Sequence, residues 1–323
     1  MTDNRKKPLI IIAGPTAVGK TESSIRLAKA VNGEIISADS MQVYKRMDIG
    51  SAKIMPEEMD GVTHHLIDVL EPTEEFNIVR FQTMAKEAME EIYAKGKIPI
   101  LVGGTGFYIQ SLLYDIEFKE EEEVNSSLRD SLQQYAEEFG KEALHERLKA
   151  VDPESAKVIP AGNVKRVIRA LEFYETHHEK ISDHNKSQAE KESPYNYAFF
   201  VLTDDRKILY ERIEKRIDIM LEKGLIDEVQ GLRGEGLNRS FISMQGLGYK
   251  EILAYLEGEI TLDEAIYILK RDTRHFAKRQ ITWFKREKDV HWLDKSEFKH
   301  DDEAIFEEML KFLQKKDIVK GEF

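Results

Sequence analysis

Apolar residues follow two rhythms along the chain: short unbroken runs, and longer segments in which they recur every three or four positions. Leu9 to Ala13, Ile98 to Val102 and Tyr197 to Leu202 are unbroken runs rich in Ile, Val and Phe. That is the pattern of strands covered on both faces of a parallel sheet. Glu34 to Asp39 reads as another short strand and Val290 to Leu293 as a last one. Helical spacing separates them. Lys20 to Val31 ends at Asn32-Gly33, and Ile78 to Lys95 carries Phe81, Met84, Ala85, Ala88 and Ile92 before Gly96. Asp204-Asp205 precedes a helix containing Tyr210 to Gly224 and supplies its cap. Strands alternating with helices predict an α/β fold with right-handed crossovers.

Two stretches break this order. Ser40 to Leu70 has little periodicity, and so long a connection inside a compact domain is more often functional than idle. From Asp115 to Pro194 charged, helix-favouring residues dominate, and Glu179 to Pro194 is polar and turn-rich. The reading is a core of residues 1–115 and 195–323, interrupted by a helical insertion, 116–194, that closes with a mobile loop.

Composition narrows the classes. With 323 residues and 41% apolar content, the chain suffices for one large α/β domain with an insertion, or for two domains. It has no cysteine, which excludes disulfides, thiolate zinc sites and a cysteine nucleophile, and is compatible with a reducing cytosol. Arg5, Lys6 and Lys7 before an apolar run resemble a signal peptide, but the run enters a glycine-rich loop where a cleavage site would be, and it reads as a buried first strand. No stretch is apolar for long enough to span a bilayer, and the expectation is a cytoplasmic protein without membrane contact. The formal charge of −12 argues against nucleic acid only weakly, because binding depends on local patches. Glu117 to Asn125 is strongly acidic, whereas Arg271 to Lys288 is strongly basic.

The first strand runs into GPTAVGKT, Gly14 to Thr21. A glycine, four residues, then Gly-Lys-Thr between a strand and a helix is a phosphate loop. Gly14 and Gly19 let backbone N–H groups turn inward, Lys20 brings a point charge and Thr21 a hydroxyl for Mg2+. Asp39 ends the second strand, where open parallel sheets bind ligands. It can ligate Mg2+, act as a general base, or cap a turn with Ser40. The third strand ends in Gly103-Gly104-Thr105-Gly106 and lacks the acid that many P-loop ATPases place there, which counts against nucleotide hydrolysis. Those glycines fit either a tight turn or the close approach of a ligand.

Arg212 and Arg216, four apart on one helix, share a face and can clamp phosphates opposite Lys20. His64-His65 looks like a metal pair, but adjacent strand residues face opposite ways and no third ligand has useful spacing. In Thr273 to Glu287, Phe276, Ile281 and Phe284 with Trp283 can turn inward, leaving Arg274, Lys278, Arg279, Lys285 and Arg286 outward for a polyanion. Lys165, Arg166 and Arg169 form a second basic set in the insertion.

The phosphate loop, SADSMQVYKRMDIGSAK (Ser37 to Lys53), HHLID (His64 to Asp68), LVGGTGFYIQ (Leu101 to Gln110), NVKRVIRALE (Asn163 to Glu172), GLGYKE (Gly246 to Glu251) and RHFAKRQITWFKR (Arg274 to Arg286) occur in that order. Together they resemble the tRNA dimethylallyltransferases of the bacterial type, from about residue 8 to residue 293. The resemblance implies a P-loop NTPase-like parallel sheet flanked by helices, with an α-helical insertion domain. It also implies transfer of a dimethylallyl group from dimethylallyl diphosphate to the exocyclic amine of the adenosine 3′ of the tRNA anticodon, with pyrophosphate released.

Carried onto these positions, the resemblance makes Asp39 the base toward the adenine amine. Lys20, Thr21 with Mg2+ as cofactor, and Arg216 in preference to Arg212, meet the leaving oxygens. Gly14, Pro15, Thr16, Ala17, Val18 and Gly19 surround the diphosphate. Ser40, Met41, Gln42 and Thr105 meet the extruded base. Lys165, Arg166, Arg169, Gly248, Tyr249 and Lys250 hold the anticodon stem-loop, and Arg274, Lys278 and Arg279 join them from the basic helix. No protein partner is implied. Two rival readings remain from the residues alone: an ATP-dependent P-loop small-molecule kinase, and a non-catalytic RNA-binding switch gated by nucleotide.

Overall fold

The computed structural model describes residues 6–118 and 126–320. Most of the acidic run of Glu117 to Asn125 therefore lies outside the described residues, as does Arg5. The chain divides into two compact units, Met1–Leu113 with Pro194–Phe323, and Tyr114–Ser193.

The first unit opens with β1 (Pro8–Ala13), α1 (Lys20–Val31), β2 (Gly33–Ala38), β3 (His64–His65), α2 (Ile78–Ala94), β4 (Ile98–Gly103) and α3 (Gly106–Leu113). The second unit is helical: α4 (Ser126–Phe139), α5 (Lys141–Val151), α6 (Pro153–Val158), α7 (Val164–His177) and α8 (Ile181–Ala189). The chain then completes the first unit with β5 (Asn196–Thr203), α9 (Arg206–Glu222), α10 (Leu225–Gly234), α11 (Tyr249–Leu256), α12 (Leu262–Phe284), β6 (Val290–Asp294) and α13 (Asp302–Lys315).

The strands form one parallel sheet in the order β3-β2-β4-β1-β5-β6. β1 lies between β4 and β5, with Ile11 opposite both Leu101 and Phe199. Leu9 to Ala13 are fully buried, as their unbroken apolar run requires, and each large aliphatic side chain contributes about 2 kcal/mol by leaving water. Because every strand runs the same way, the ends of β1, β2 and β4 open on one edge, and the loops after them meet there.

At the start of β2, Glu34 accepts hydrogen bonds from Lys97 Nζ at 2.8 Å and Lys95 Nζ at 2.9 Å, and its carboxylate lies 2.8 Å from His65 Nε2. Burial alone would raise its pKa, but these three partners outweigh it and hold the carboxyl down at about 2. His65 is thus occupied, His64 Nδ1 lies 2.9 Å from the Val62 carbonyl, and no cluster suited to a metal ion occurs among the described residues.

The helical unit has its own core, built from Leu132, Leu144, Leu148, Val167, Ile168 and Leu171. Glu179 to Pro194, expected to be a mobile loop, instead contains α8. The cause is Asp152, fully buried, which accepts hydrogen bonds from the backbone N–H and hydroxyl of both Ser155 and Ser182. This pins the first turn of α8 to α6. Burial would raise the Asp152 pKa, but its four donors lower it.

Candidate active site

The loop between β1 and α1 takes its shape from three residues with positive φ: Gly14 at 147°, Ala17 at 63° and Gly19 at 99°. Such alternation turns successive N–H groups toward a common concavity, a nest for anions. A side chain at Gly14 would meet the Leu202 carbonyl oxygen at 2.4 Å, so β5 presses the loop from behind. Ala17 holds a left-handed conformation without being glycine, at a cost of about 1 kcal/mol, and strain of this kind clusters at functional sites.

Lys20 opens α1 and turns its ammonium back into the loop, donating to the carbonyls of Gly14 at 3.0 Å and Pro15 at 2.8 Å. Desolvation and the positive charge of Arg216 pull its pKa down to about 8, opposed by the negative charge of Asp39. Lys20, Arg216 and Asp39 therefore lie within electrostatic reach of one another, although they come from three separate elements. Thr21 is exposed, and its hydroxyl makes no hydrogen bond to the described residues.

Asp39 follows β2. Its Oδ1 accepts from the backbone N–H groups of Met41 at 2.8 Å and Gln42 at 3.3 Å, an Asx turn that fixes the carboxylate. Its Oδ2 takes no hydrogen bond from the described residues. Turn cap and available base are thus compatible, one oxygen for each. Thr105 sits beside it, its N–H pointing to the Ala38 carbonyl at 3.4 Å.

The two arginines of α9 part ways. Arg212 donates to Asp204 Oδ2 at 2.8 Å, and Asp204 is buried at the end of β5. Arg216 brings Nη1 to 3.4 Å from the Thr16 hydroxyl. The expected clamp of two guanidinium groups is thus a single arginine at the loop. Asp205, not Asp204, caps α9, accepting from the N–H groups of Lys207 and Ile208.

Several residues expected at the RNA make contacts within the protein. Tyr249 is fully buried, with its hydroxyl donating to Glu228 Oε1 at 2.7 Å and its ring against Gly50, where a Cβ would meet it at 2.6 Å. Its side chain has no exposed surface and holds the turn of Asp48 to Gly50. Gln42 spends its amide on the Ala52 carbonyl at 3.1 Å. Met41 packs over Gly246, where a Cβ would meet its terminal methyl group at 2.5 Å. Arg274, expected to face outward, is paired with Glu214. Gly248 is buried with φ 95°, whereas Lys250 is exposed. On α12, Lys278 and Arg279 are exposed and line an open groove with His275, Thr282, Trp283 and Arg286. On α7, Lys165, Arg166 and Arg169 are exposed opposite buried Val167, Ile168 and Leu171, and none forms an ion pair with another described residue.

The inward stripe of α12 is Ala277, Gln280 and Phe284, while Phe276, Ile281 and Trp283 are only half-buried. The glycines after β4 serve this helix. A Cβ on Gly104 would lie 2.1 Å from Gln280 Nε2, and one on Gly106 would lie 2.1 Å from the Trp283 ring. The close approach they permit is thus by α12 side chains.

Three residues that organise the site escaped sequence reasoning. Gln280 is one. Glu228 is another, accepting from the N–H groups of Asp48, Ile49 and Gly50 at 2.7–3.0 Å. Lys53, buried, donates to the Tyr44 carbonyl, Asp48 and Asp68. Gln280 and Lys53 lie inside blocks that carry the family resemblance, although nothing in their spacing pointed to these contacts, and Glu228 lies outside those blocks.

A sequence model of the family described as IPP transferase matches residues 42–287. The tRNA dimethylallyltransferase of Lachnoclostridium phytofermentans is 59% identical over 314 residues, covering 97% of this chain and all of that protein. That of Acetivibrio thermocellus is 52% identical over 92% of this chain and 95% of its own length. Among solved structures, the tRNA isopentenylpyrophosphate transferase of Bacillus halodurans superposes with a TM-score of 0.71 at 42% identity, covering 97% of this chain and 98% of its own. A eukaryotic dimethylallyltransferase described as acting on tRNA gives a TM-score of 0.76 at 32% identity, covering 89% of this chain and 74% of its own.

Proposed function

The chain belongs to the IPP transferase family, and from that premise we propose that it moves a dimethylallyl group from dimethylallyl diphosphate to the exocyclic amine of the adenosine 3′ of the anticodon in tRNA. The observation that carries the reading is the convergence of Lys20, Arg216 and the Asx-turned Asp39 on one phosphate loop, beside a strand end that bears no acid.

The diphosphate binds in the nest of Gly14 to Gly19, and Lys20 exchanges its two carbonyl partners for phosphate oxygens. The adenine, taken out of its stack, enters beside Asp39, Ser40 and Thr105. Its amine attacks the allylic carbon as the carbon–oxygen bond breaks, and pyrophosphate departs with the electron pair. Lys20 and Arg216 neutralise the charge that builds on the leaving oxygen. The proton lost by the amine passes to Asp39 Oδ2, the carboxylate oxygen not used by the turn.

Mg2+ fits this donor set. The ion commonly takes one or two protein oxygens and completes its shell with phosphate and water, and Thr21 offers an uncommitted hydroxyl at the loop. When bound, it would add positive charge to the leaving group. Lys278 and Arg279 on α12, Lys250, and Lys165, Arg166 and Arg169 of the helical unit are the cations assigned to the anticodon arm. The helical unit thereby serves as the RNA-contacting insertion, and the cytoplasm, where tRNA is found, is the site of action. No helix among the described residues is long and apolar enough to cross a membrane.

Anticodon-stem RNA incubated with the protein, dimethylallyl diphosphate and Mg2+ should gain the mass of one dimethylallyl group on that adenosine, with pyrophosphate released only when RNA is present. Unchanged RNA, together with RNA-stimulated phosphate release from ATP, would refute the assignment.

A further inference from the structure

Several buried polar side chains, Gln82, Ser243 and Asp152 among them, join segments distant in sequence away from the phosphate loop. Gln280 does something else: it reaches the phosphate loop from a distant helix. It lies on α12 and is 6% exposed. Its Oε1 accepts from the Thr16 N–H at 2.9 Å, and its Nε2 donates to the Gly104 carbonyl at 3.0 Å. One primary amide thus bridges the loop after β1 and the turn after β4, a task that needs a donor and an acceptor on the same planar group. The space is made for it, because a Cβ on Gly104 would stand 2.1 Å from Nε2.

Thr16 is in turn approached from the other side by Arg216 at 3.4 Å. It is therefore held between α12 and α9, with Gln280 the better-bonded of its two partners. The Thr16 N–H is committed to the protein, which leaves the remaining loop amides for the anion. One turn of α12 consequently has two roles, since Lys278 and Arg279 face solvent immediately before Gln280 turns inward.

We propose that Gln280 is a positioning residue for the diphosphate, fixing the loop through Thr16 against Gly104 and thereby setting where Arg216 meets the leaving group. This rests on reading the loop as a diphosphate site. A neutral hydrogen bond is worth up to about tenfold in binding, and the effect should fall on the diphosphate, not the RNA.

The test compares Gln280→Met, which keeps length and loses both hydrogen bonds, with Gly104→Ala, whose methyl group displaces the amide, and with the double variant. Inorganic pyrophosphate binding is measured by calorimetry, KM for dimethylallyl diphosphate and for anticodon-stem RNA by steady-state transfer, and Tm in parallel. The expected result is a rise of about tenfold in the pyrophosphate Kd and in the dimethylallyl diphosphate KM, the size of one hydrogen bond, with an unchanged RNA KM. Both single variants remove one bridge, so the double should be no worse than the worse of them. Gln280→Met with wild-type pyrophosphate affinity overturns the proposal, whether its Tm falls or its RNA KM rises. Should the wild-type protein neither bind pyrophosphate nor transfer, the diphosphate reading itself fails and this inference with it.

Discussion

Asp39→Asn separates the turn that the carboxylate caps from the base role proposed for it. Asparagine keeps an Oδ1 that can accept from Met41 at 2.8 Å and Gln42 at 3.3 Å, so the turn should survive. What changes is the second oxygen, which becomes an NH2 group unable to take a proton. Loss of a general base costs roughly 10²–10⁴-fold in the chemical step. A second effect must be separated from the first. Asp39 raises the Lys20 pKa, which stands at about 8, so at pH 7 about nine-tenths of Lys20 is protonated. Without the carboxylate that pKa falls, and part of Lys20 becomes neutral near pH 7. This indirect loss is reversed by acid, whereas loss of the base is not. Single-turnover transfer with pre-bound RNA and saturating dimethylallyl diphosphate should therefore keep a defect of at least about 10²-fold at pH 6, where Lys20 is charged in both proteins. A wild-type rate, or recovery at pH 6, would refute the base assignment and leave Asp39 acting only on Lys20.

Three further outcomes follow from the geometry. Pyrophosphate affinity of the wild-type protein, corrected for the ionisation of pyrophosphate itself, should be flat below the Lys20 value of about 8 and fall as pH rises through it, because the anion needs the charged ammonium; titration calorimetry across that pH range checks this. Glu34 ionises at about 2 in the folded protein against an ordinary value of 4.5, a difference corresponding to about 3 kcal/mol. That stability is present above pH 4.5 and lost as pH falls toward 2, so in urea unfolding the gap between wild type and Glu34→Gln should be widest above pH 5 and narrow below it. Arg166→Ala with Arg169→Ala should weaken RNA binding and flatten its salt dependence by about one unit of slope for each phosphate no longer neutralised, with pyrophosphate binding unchanged. Identical salt slopes would take α7 out of the interface.

What was legible in the sequence was what is local. GPTAVGKT holds its glycines, lysine and threonine within one turn of chain, and the runs at Leu9, Ile98 and Tyr197 identify β1, β4 and β5 because burial on both faces leaves no polar alternation. β3 is only His64 and His65, too short to carry a period, and it exists because β2 offers it an edge. Arg212 and Arg216 look equivalent at spacing four, and only the position of Asp204 separates them. Gln280 and Glu228 read as surface polar residues until Gly104 and the turn of Asp48 to Gly50 are brought against them from across the fold. Tyr249 was placed at the RNA only through the resemblance of its GLGYKE block, and its burial depends on Gly50, far away in sequence.

The helical unit satisfies its own apolar faces and its own buried acid, Asp152. Lengthening α4 or redrawing the exposed face of α7 does not alter the register between β1, β4 and β5, since the chain leaves the sheet after α3 and rejoins it at β5. If the helical unit contacts RNA as proposed, substitutions on its exposed faces would change those contacts without touching the loop proposed to hold the diphosphate.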